Sequence, residues 1–470
     1  MRAFSKYGIL LSIIVMVTIF LSAERSYAAS SFKEFDSVSE VNPYKEWTVE
    51  FNTKLLQSST NHVVVKNADG EDMDVHVSVN STKKSIKVEP PIAGYVNGET
   101  YTLIIGREVK SVDNKQLNNE VRMKFTILGA HDPSLVNTKK EVMTKWDLYK
   151  PTYEGNPFVK DPSIRAPYTT GELKQGFLQD GVNMTNFVRY LSGLPDDIEL
   201  NSSLNEQGQY GAVVTAANGY LNHHPTKPTD MDKDFYEIGY KSTSSSNLSQ
   251  QYTKEDFTSS YEIDGAVQKG TIASSVYSYM MDESRSNIDR VGHRRWILNP
   301  QLKDVGFGYA LNKKLGNYYN YTFSTMQVFD KSREEEVDYD YIGWPGVNRY
   351  FPAEFFPSDT PWSVSLNPYL YQIPELTEVN VEIKSLADGK THKLNTQDTP
   401  MNTDGRDVLG EYFNINNQWY GIPYCIVFRP DPDQINLYNG VYEVTVEGLK
   451  DRNGNETSLQ YKVNFFDLLN

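Results

Sequence analysis

Residues 291–308 read VGHRRWILNPQLKDVGFG. The His–Arg–Arg run followed by Trp-Ile-Leu fits the last turns of a helix, where cations meet the negative end of the helix dipole. Asn299-Pro300 turns the chain, since Pro cannot continue a helix. Val305-Gly306-Phe307-Gly308 then resumes as a strand, and its glycines mark positions where backbone can approach another element closely. A helix, a Pro turn and a glycine-punctuated strand in 18 residues require a layer of helices against a sheet.

Working outward, residues 182, 184, 187, 188 and 191 are apolar at helical spacing, which predicts a helix opening near Gln175. Further helices are expected over Glu206–Asn222, Thr271–Glu283 and Asn287–Leu298, with strands at Gly306–Ala310 and Tyr318–Ser324. Helices around a small sheet make an α/β/α sandwich. On either side the pattern changes to a period of two. Residues 33–128 alternate through Trp47-Thr48-Val49-Glu50-Phe51 and Ser85-Ile86-Lys87-Val88; residues 341–470 alternate through Trp362–Leu366, Val379–Ile383 and Tyr442–Val446. Both are expected to be β-sandwiches. Residues 129–175 lose the alternation and gain five prolines, and are expected to link, with one short helix near Lys139–Tyr149. The fold class is therefore α+β, with a central α/β/α domain (176–330) between two β-sandwich domains (33–128 and 341–470).

Arg2 and Lys6 precede an apolar run from Ile9 to Leu21, and Ser26-Tyr27-Ala28-Ala29 follows with small residues. That order predicts an export signal over residues 1–29 and a secreted or cell-surface protein. The formal net charge of −15 excludes a typical nucleic-acid binder, which needs clustered Lys and Arg for phosphate. Cys425 is the single cysteine, so no intramolecular disulfide can form. It sits in an apolar strand-like run and reads as a buried small hydrophobe.

Four stretches together resemble the CAP superfamily (cysteine-rich secretory, antigen 5 and pathogenesis-related proteins) in its bacterial SCP-domain form. They are Asn186-x-x-Arg189 with Gly193-Leu194-Pro195; Leu204 to His223-His224-Pro225; Ser246-Asn247-Leu248; and Val291 to Gly308. The resemblance covers about residues 176–325. It implies a polar cleft in which two histidines and two acids converge and, in some members, hold a divalent metal. Carried over, the histidines are His223 and His293, with His224 as the alternative to His223. One acid is Asp282, with Glu283 next; the other falls on Ser246, beside Asn247. Arg294 is expected at the cleft with them. The first β-segment resembles bacterial Ig-like domains of surface proteins through W-T-V-x-F-N (Trp47–Asn52) and G-x-x-Y-T-L (Gly98–Leu103).

The implied metal set is His223, His293 and Asp282, for zinc or magnesium. Three protein ligands are the usual minimum for a catalytic zinc, and Ser246 in place of an acid removes a general base. The leading reading is a non-enzymatic secreted or cell-surface module that binds an extracellular ligand or surface component and requires no cofactor. A divalent-metal hydrolase using the cleft histidines is the alternative, followed by a structural surface protein with a vestigial cleft.

Overall fold

The computed structural model describes residues 32–41, 44–80, 83–92, 94–96, 98–127, 134–254, 261–313, 319–398, 410–435 and 437–469. The expected export signal, residues 1–29, lies outside them. Among the described residues no helix is long and apolar enough to cross a membrane. The chain divides into two compact units, residues 1–133 and 134–469.

The first unit is all β. One sheet runs Phe32–Val41, Glu120–Ile127, Thr100–Ile105, Val63–Lys66, and a second runs Trp47–Glu50, Ser85–Glu89, His76–Val79. Alternate residues of both sheets, among them Trp47, Val49, Val65, Ile86, Leu103 and Phe125, meet in one core. The strand Phe32–Val41 pairs parallel to Glu120–Ile127, a pairing that periodicity alone does not reveal.

In the second unit the central sheet runs Glu199–Leu200, Asp304–Asn312, Tyr319–Gln327, Ser246–Lys254. The helices around it are α1 (Lys139–Tyr149), α2 (Gln175–Leu191), α3 (Ser202–Asn218), α4 (Lys233–Ser244), α5 (Ile272–Met281) and α6 (Gly292–Ile297). The strand Asp304–Asn312 shows why helices cover both faces. Gly306 and Gly308 point to α3, where an added Cβ would meet the backbone of Leu204 at 2.2 Å and of Gly208 at 2.0 Å. Val305, Phe307 and Tyr309 point the other way, into the core formed with α2 and α5. Each such fully buried apolar side chain contributes about 1.5–3 kcal/mol.

Two sequence-based helix limits shift. Asn201 caps α3 through the N–H groups of Ser203 and Leu204, and Gly219, at φ 79°, ends it in the left-handed conformation. The helix therefore stops four residues before His223, which lies in a loop and not on a helix end. Val291 also adopts positive φ, so α6 begins at Gly292 and not at Asn287. Helix α4 had no counterpart in the sequence-based reading.

The segment expected to link docks onto this unit. Trp146 of α1 packs against Phe187 of α2 (ring centroids 5.1 Å) and against Phe355 (5.6 Å). Past residue 340, two further sheets form. One runs Tyr341–Trp344, Trp362–Leu366, Tyr424–Arg429, Tyr412–Asn416; the other runs Arg349–Pro352, Glu456–Phe466, Gly440–Lys450, Asn380–Ser385, Thr391–Leu394. Their apolar residues join Phe187, Val276 and Phe307 in a single core. No break in packing separates the helical segment from these two sheets. Cys425 is buried and free.

Candidate functional site

The site grows from the end of α5. Asp282 takes the left-handed conformation there (φ 47°), which turns its side chain toward the start of α6. Its Oδ1 lies 2.7 Å from Nδ1 of His293, and its Oδ2 accepts the backbone N–H of Arg294 at 3.0 Å. The carboxylate is thereby used on both oxygens and almost fully buried, while the His293 imidazole keeps partial exposure. A carboxylate opposite Nδ1 places the proton on Nδ1 and leaves the Nε2 lone pair free to accept.

Two more groups fix His293. Tyr279, three residues before Asp282 on α5, sets its ring 5.2 Å from the imidazole. Asn247, at the start of the strand Ser246–Lys254, donates from Nδ2 to the His293 carbonyl at 3.0 Å and accepts from Tyr279 Oη on its own carbonyl at 3.2 Å. Tyr279 was missed by sequence reasoning; its i, i−3 spacing from Asp282 was the available signal.

His223 stands in the loop after α3 and keeps an exposed edge. Its Nδ1 stands 2.8 Å from the Thr243 carbonyl, and Thr243 Oγ1 donates back to the His223 carbonyl at 3.1 Å. A carbonyl can only accept, so here too Nδ1 carries the proton and Nε2 is the free acceptor. Desolvation lowers the His223 pKa most; the Thr243 bond opposes it, and the charges of His293, His224 and Arg290 lower it further. The charge of His293 is thus the foremost of the neighbouring charges that hold the His223 pKa down. His224 is exposed and packs its ring on Tyr240.

Ser246 is buried beside Asn247, but its Oγ donates to the Ser242 carbonyl and accepts from Gln327 Nε2. It braces α4 against the sheet. Glu283 is exposed just past the helix end.

Arg294 is corrected. It is 0% exposed and turns away from the cleft. Its guanidinium donates to the last carbonyls of α5, Met280 and Met281, and across to Pro361 O and Ser363 Oγ. Burial lowers its pKa to about 10, so it remains a cation at neutral pH. Arg295 does the same work on another strand pair, donating to Asn416 Oδ1 and to the carbonyls of Gln418, Ile422 and Pro423. The Asn186 and Arg189 pair is also structural: Asn186 exchanges bonds with Ile198, and Arg189 holds the carbonyls of Ile297 and Asn299.

The expected three-ligand metal set does not assemble. Asp282 commits both oxygens to His293 and to the Arg294 N–H, and two imidazole nitrogens alone fall short of a zinc site. Among the described residues no group of three His, Cys, Asp or Glu could hold a metal ion.

The site thus combines a glycine-backed strand, a histidine set by an acid at a helix end, and a second histidine from the loop after α3. Residues 182–327 match the CAP family. The matching family model is described as the cysteine-rich secretory protein family, and it spans about a third of the chain. No curated protein matches the chain. Solved structures give weak likenesses. The N-terminal part of the bacterial S-layer protein SbsC is 17% identical, covering 20% of this chain and 23% of that one at a TM-score of 0.17. Domains 1–6 of SbsC are 10% identical, covering 92% and 54% at 0.18. An alpha-2-macroglobulin of E. coli is 8% identical, covering 91% and 25% at 0.18. The chain spans less than a quarter of the first and about half of the second. At these TM-scores no shared fold is identified over the chain, and the CAP match rests on residues 182–327 alone.

Proposed function

We propose that the CAP segment is a non-enzymatic binding module of a secreted or cell-surface protein, and that its cleft recognises a polar extracellular ligand or surface component through His223 and His293. One observation carries this reading: both Nδ1 protons are committed inside the protein, to Asp282 and to the Thr243 carbonyl. Two Nε2 acceptors are left for a ligand that presents hydrogen-bond donors. The β-rich unit before it serves as an Ig-like spacer, while the sheets after it share its core and hold its arginines. The acidic net charge argues against nucleic acid as the partner.

A hydrolase ranks second. His293 backed by Asp282 is a competent general base, but among the described residues no third ligand for a metal stands beside it. Zinc and magnesium calorimetry on the full chain, beside a His223→Ala/His293→Ala variant, tests the choice. Neither protein is expected to bind either metal stoichiometrically. Stoichiometric zinc binding that the double variant loses would overturn the reading and restore the metalloenzyme.

A further inference from the structure

At the other end of the central sheet lies a cavity of about 440 Å³ that the histidine cleft does not use. Its size falls within the range of small-molecule pockets, about 300–1,000 Å³. Strand register places it. Asn247 pairs with Met326, and Met326 with Phe307. Leu311 and Lys313 lie four and six residues further along, about 13 and 20 Å at the strand rise of about 3.3 Å per residue.

One wall is residues 156–165, which are held in place on several sides. Phe158–Lys160 pairs with Glu172–Leu173, and Ser163 bridges to Thr169. Gly171 closes the loop at φ +66°, where a Cβ would stand 2.4 Å from the Lys160 carbonyl. The wall is therefore fixed before any ligand arrives.

The lining has two parts. Phe158, Ile164 and Leu311 give an apolar surface, and the Phe158 ring is backed by Tyr309 at 5.8 Å. Arg165, Lys313 and Asp161 are exposed at the rim. Among the described residues none of these three side chains has an ion-pair or hydrogen-bond partner. Two unpaired cations against one acid make the rim locally positive, on a chain whose formal charge is −15. Cations beside an apolar wall match an anion with an apolar body, because a charge-assisted bond adds to burial.

We infer that this cavity binds a small organic monocarboxylate with an apolar body of amino-acid size, its carboxylate held by Arg165 and Lys313. Asp161 excludes dicarboxylates, since a second negative group at the rim would be repelled. The inference is independent of the histidine cleft.

Calorimetry on the full chain with three probes tests it: N-acetyl-phenylalanine, its neutral amide, and phenylsuccinate. The expected result is that the monocarboxylate binds with Kd below about 1 mM and at least about tenfold tighter than the amide or the dicarboxylate, tenfold being 1.4 kcal/mol. The Arg165→Gln/Lys313→Gln variant is expected to lose the preference, and His293→Ala to keep it. Equal binding of acid and amide, no heat with the acid at about 10 mM (a Kd far too weak for a built site), or unchanged selectivity in the double variant would each overturn the inference.

Discussion

Gly308 lies backbone to backbone on Gly208: a Cβ on Gly308 would stand 2.0 Å from the Gly208 carbonyl oxygen. Helix α3 therefore touches the central sheet at this point without intervening side chains. Neither backbone can yield as a flexible side chain would. Gly308→Ala is expected to destabilise the protein by about 3 kcal/mol or more, above the common range for overpacked cores. Urea unfolding checks this through a lower midpoint at unchanged slope. A variant within about 1 kcal/mol of the parent, the cost of a single well-tolerated swap, would show that the helix can back away.

Arg294→Met should be worse tolerated than its chemistry suggests. Methionine fills the space but leaves the Met280, Met281 and Pro361 carbonyls buried without donors. Each such group costs about 1–3 kcal/mol, so a loss of about 3 kcal/mol or more is expected in chemical denaturation. Arg294→Lys should recover little of it, because one ammonium cannot span a fork aimed at four acceptors.

Asp282→Asn keeps the shape and removes the charge. The amide oxygen must stay on the Arg294 N–H, so the amide nitrogen faces His293 and Nδ1 becomes the acceptor. Imidazole ¹⁵N shifts of His293 are expected to report the Nδ1–H tautomer in the parent and the Nε2–H tautomer in the variant. A loss of about 1.5–3 kcal/mol should accompany it, as for a hydrogen bond to a charged group.

His223 gives a pH dependence of definite sign. Its folded pKa is lowered, first by desolvation and in part by the charge of His293. The unfolded chain thus takes up the proton more readily, and stability is fully present above pH 6.5, the ordinary value, and is lost as pH falls through the folded pKa. His293→Ala should raise the His223 pKa, read from its ring proton shift in an NMR titration. An unchanged or lower value would mean that the two rings do not sense each other.

Glu354 works in the opposite sense. Burial, helped by a hydrogen bond to Asp467, raises its pKa to about 7 from 4.5, while its Oε1 accepts the Leu468 N–H at 2.8 Å. The folded chain keeps a proton that the unfolded chain releases, so stability falls as pH rises from 4.5 to about 7. Glu354→Gln should flatten that limb when unfolding midpoints are measured across it.

The parts of this architecture that were readable from the chain are those written in local pattern. Val305-Gly306-Phe307-Gly308 announced a strand between two helical layers, and the structure supplies the reason: small residues face α3 and large ones face α2 and α5. His293 and Asp282 were named and do meet. What stayed hidden depends on contacts distant in sequence. Nothing near Arg294 indicates that Pro361 and Ser363, nearly seventy residues on, are its acceptors. A cation beside a cleft histidine looks like a ligand-binding group until its burial is known. The end of α3 was misplaced because Tyr220 and Leu221 continue a helical pattern that the left-handed Gly219 has already stopped.

Arg294 and Arg295 are anchored outside residues 182–327, on Pro361, Ser363, Asn416, Gln418, Ile422 and Pro423. A fragment cut at Gln327 would keep the Met280, Met281 and Arg290 carbonyls but leave the other acceptors of both guanidinium groups behind on the discarded piece. The stretch recognisable by family is therefore not a portable cassette in this chain. It belongs to one compact unit, residues 134–469, and exchanging it between relatives would require exchanging the sheets that receive the two arginines as well.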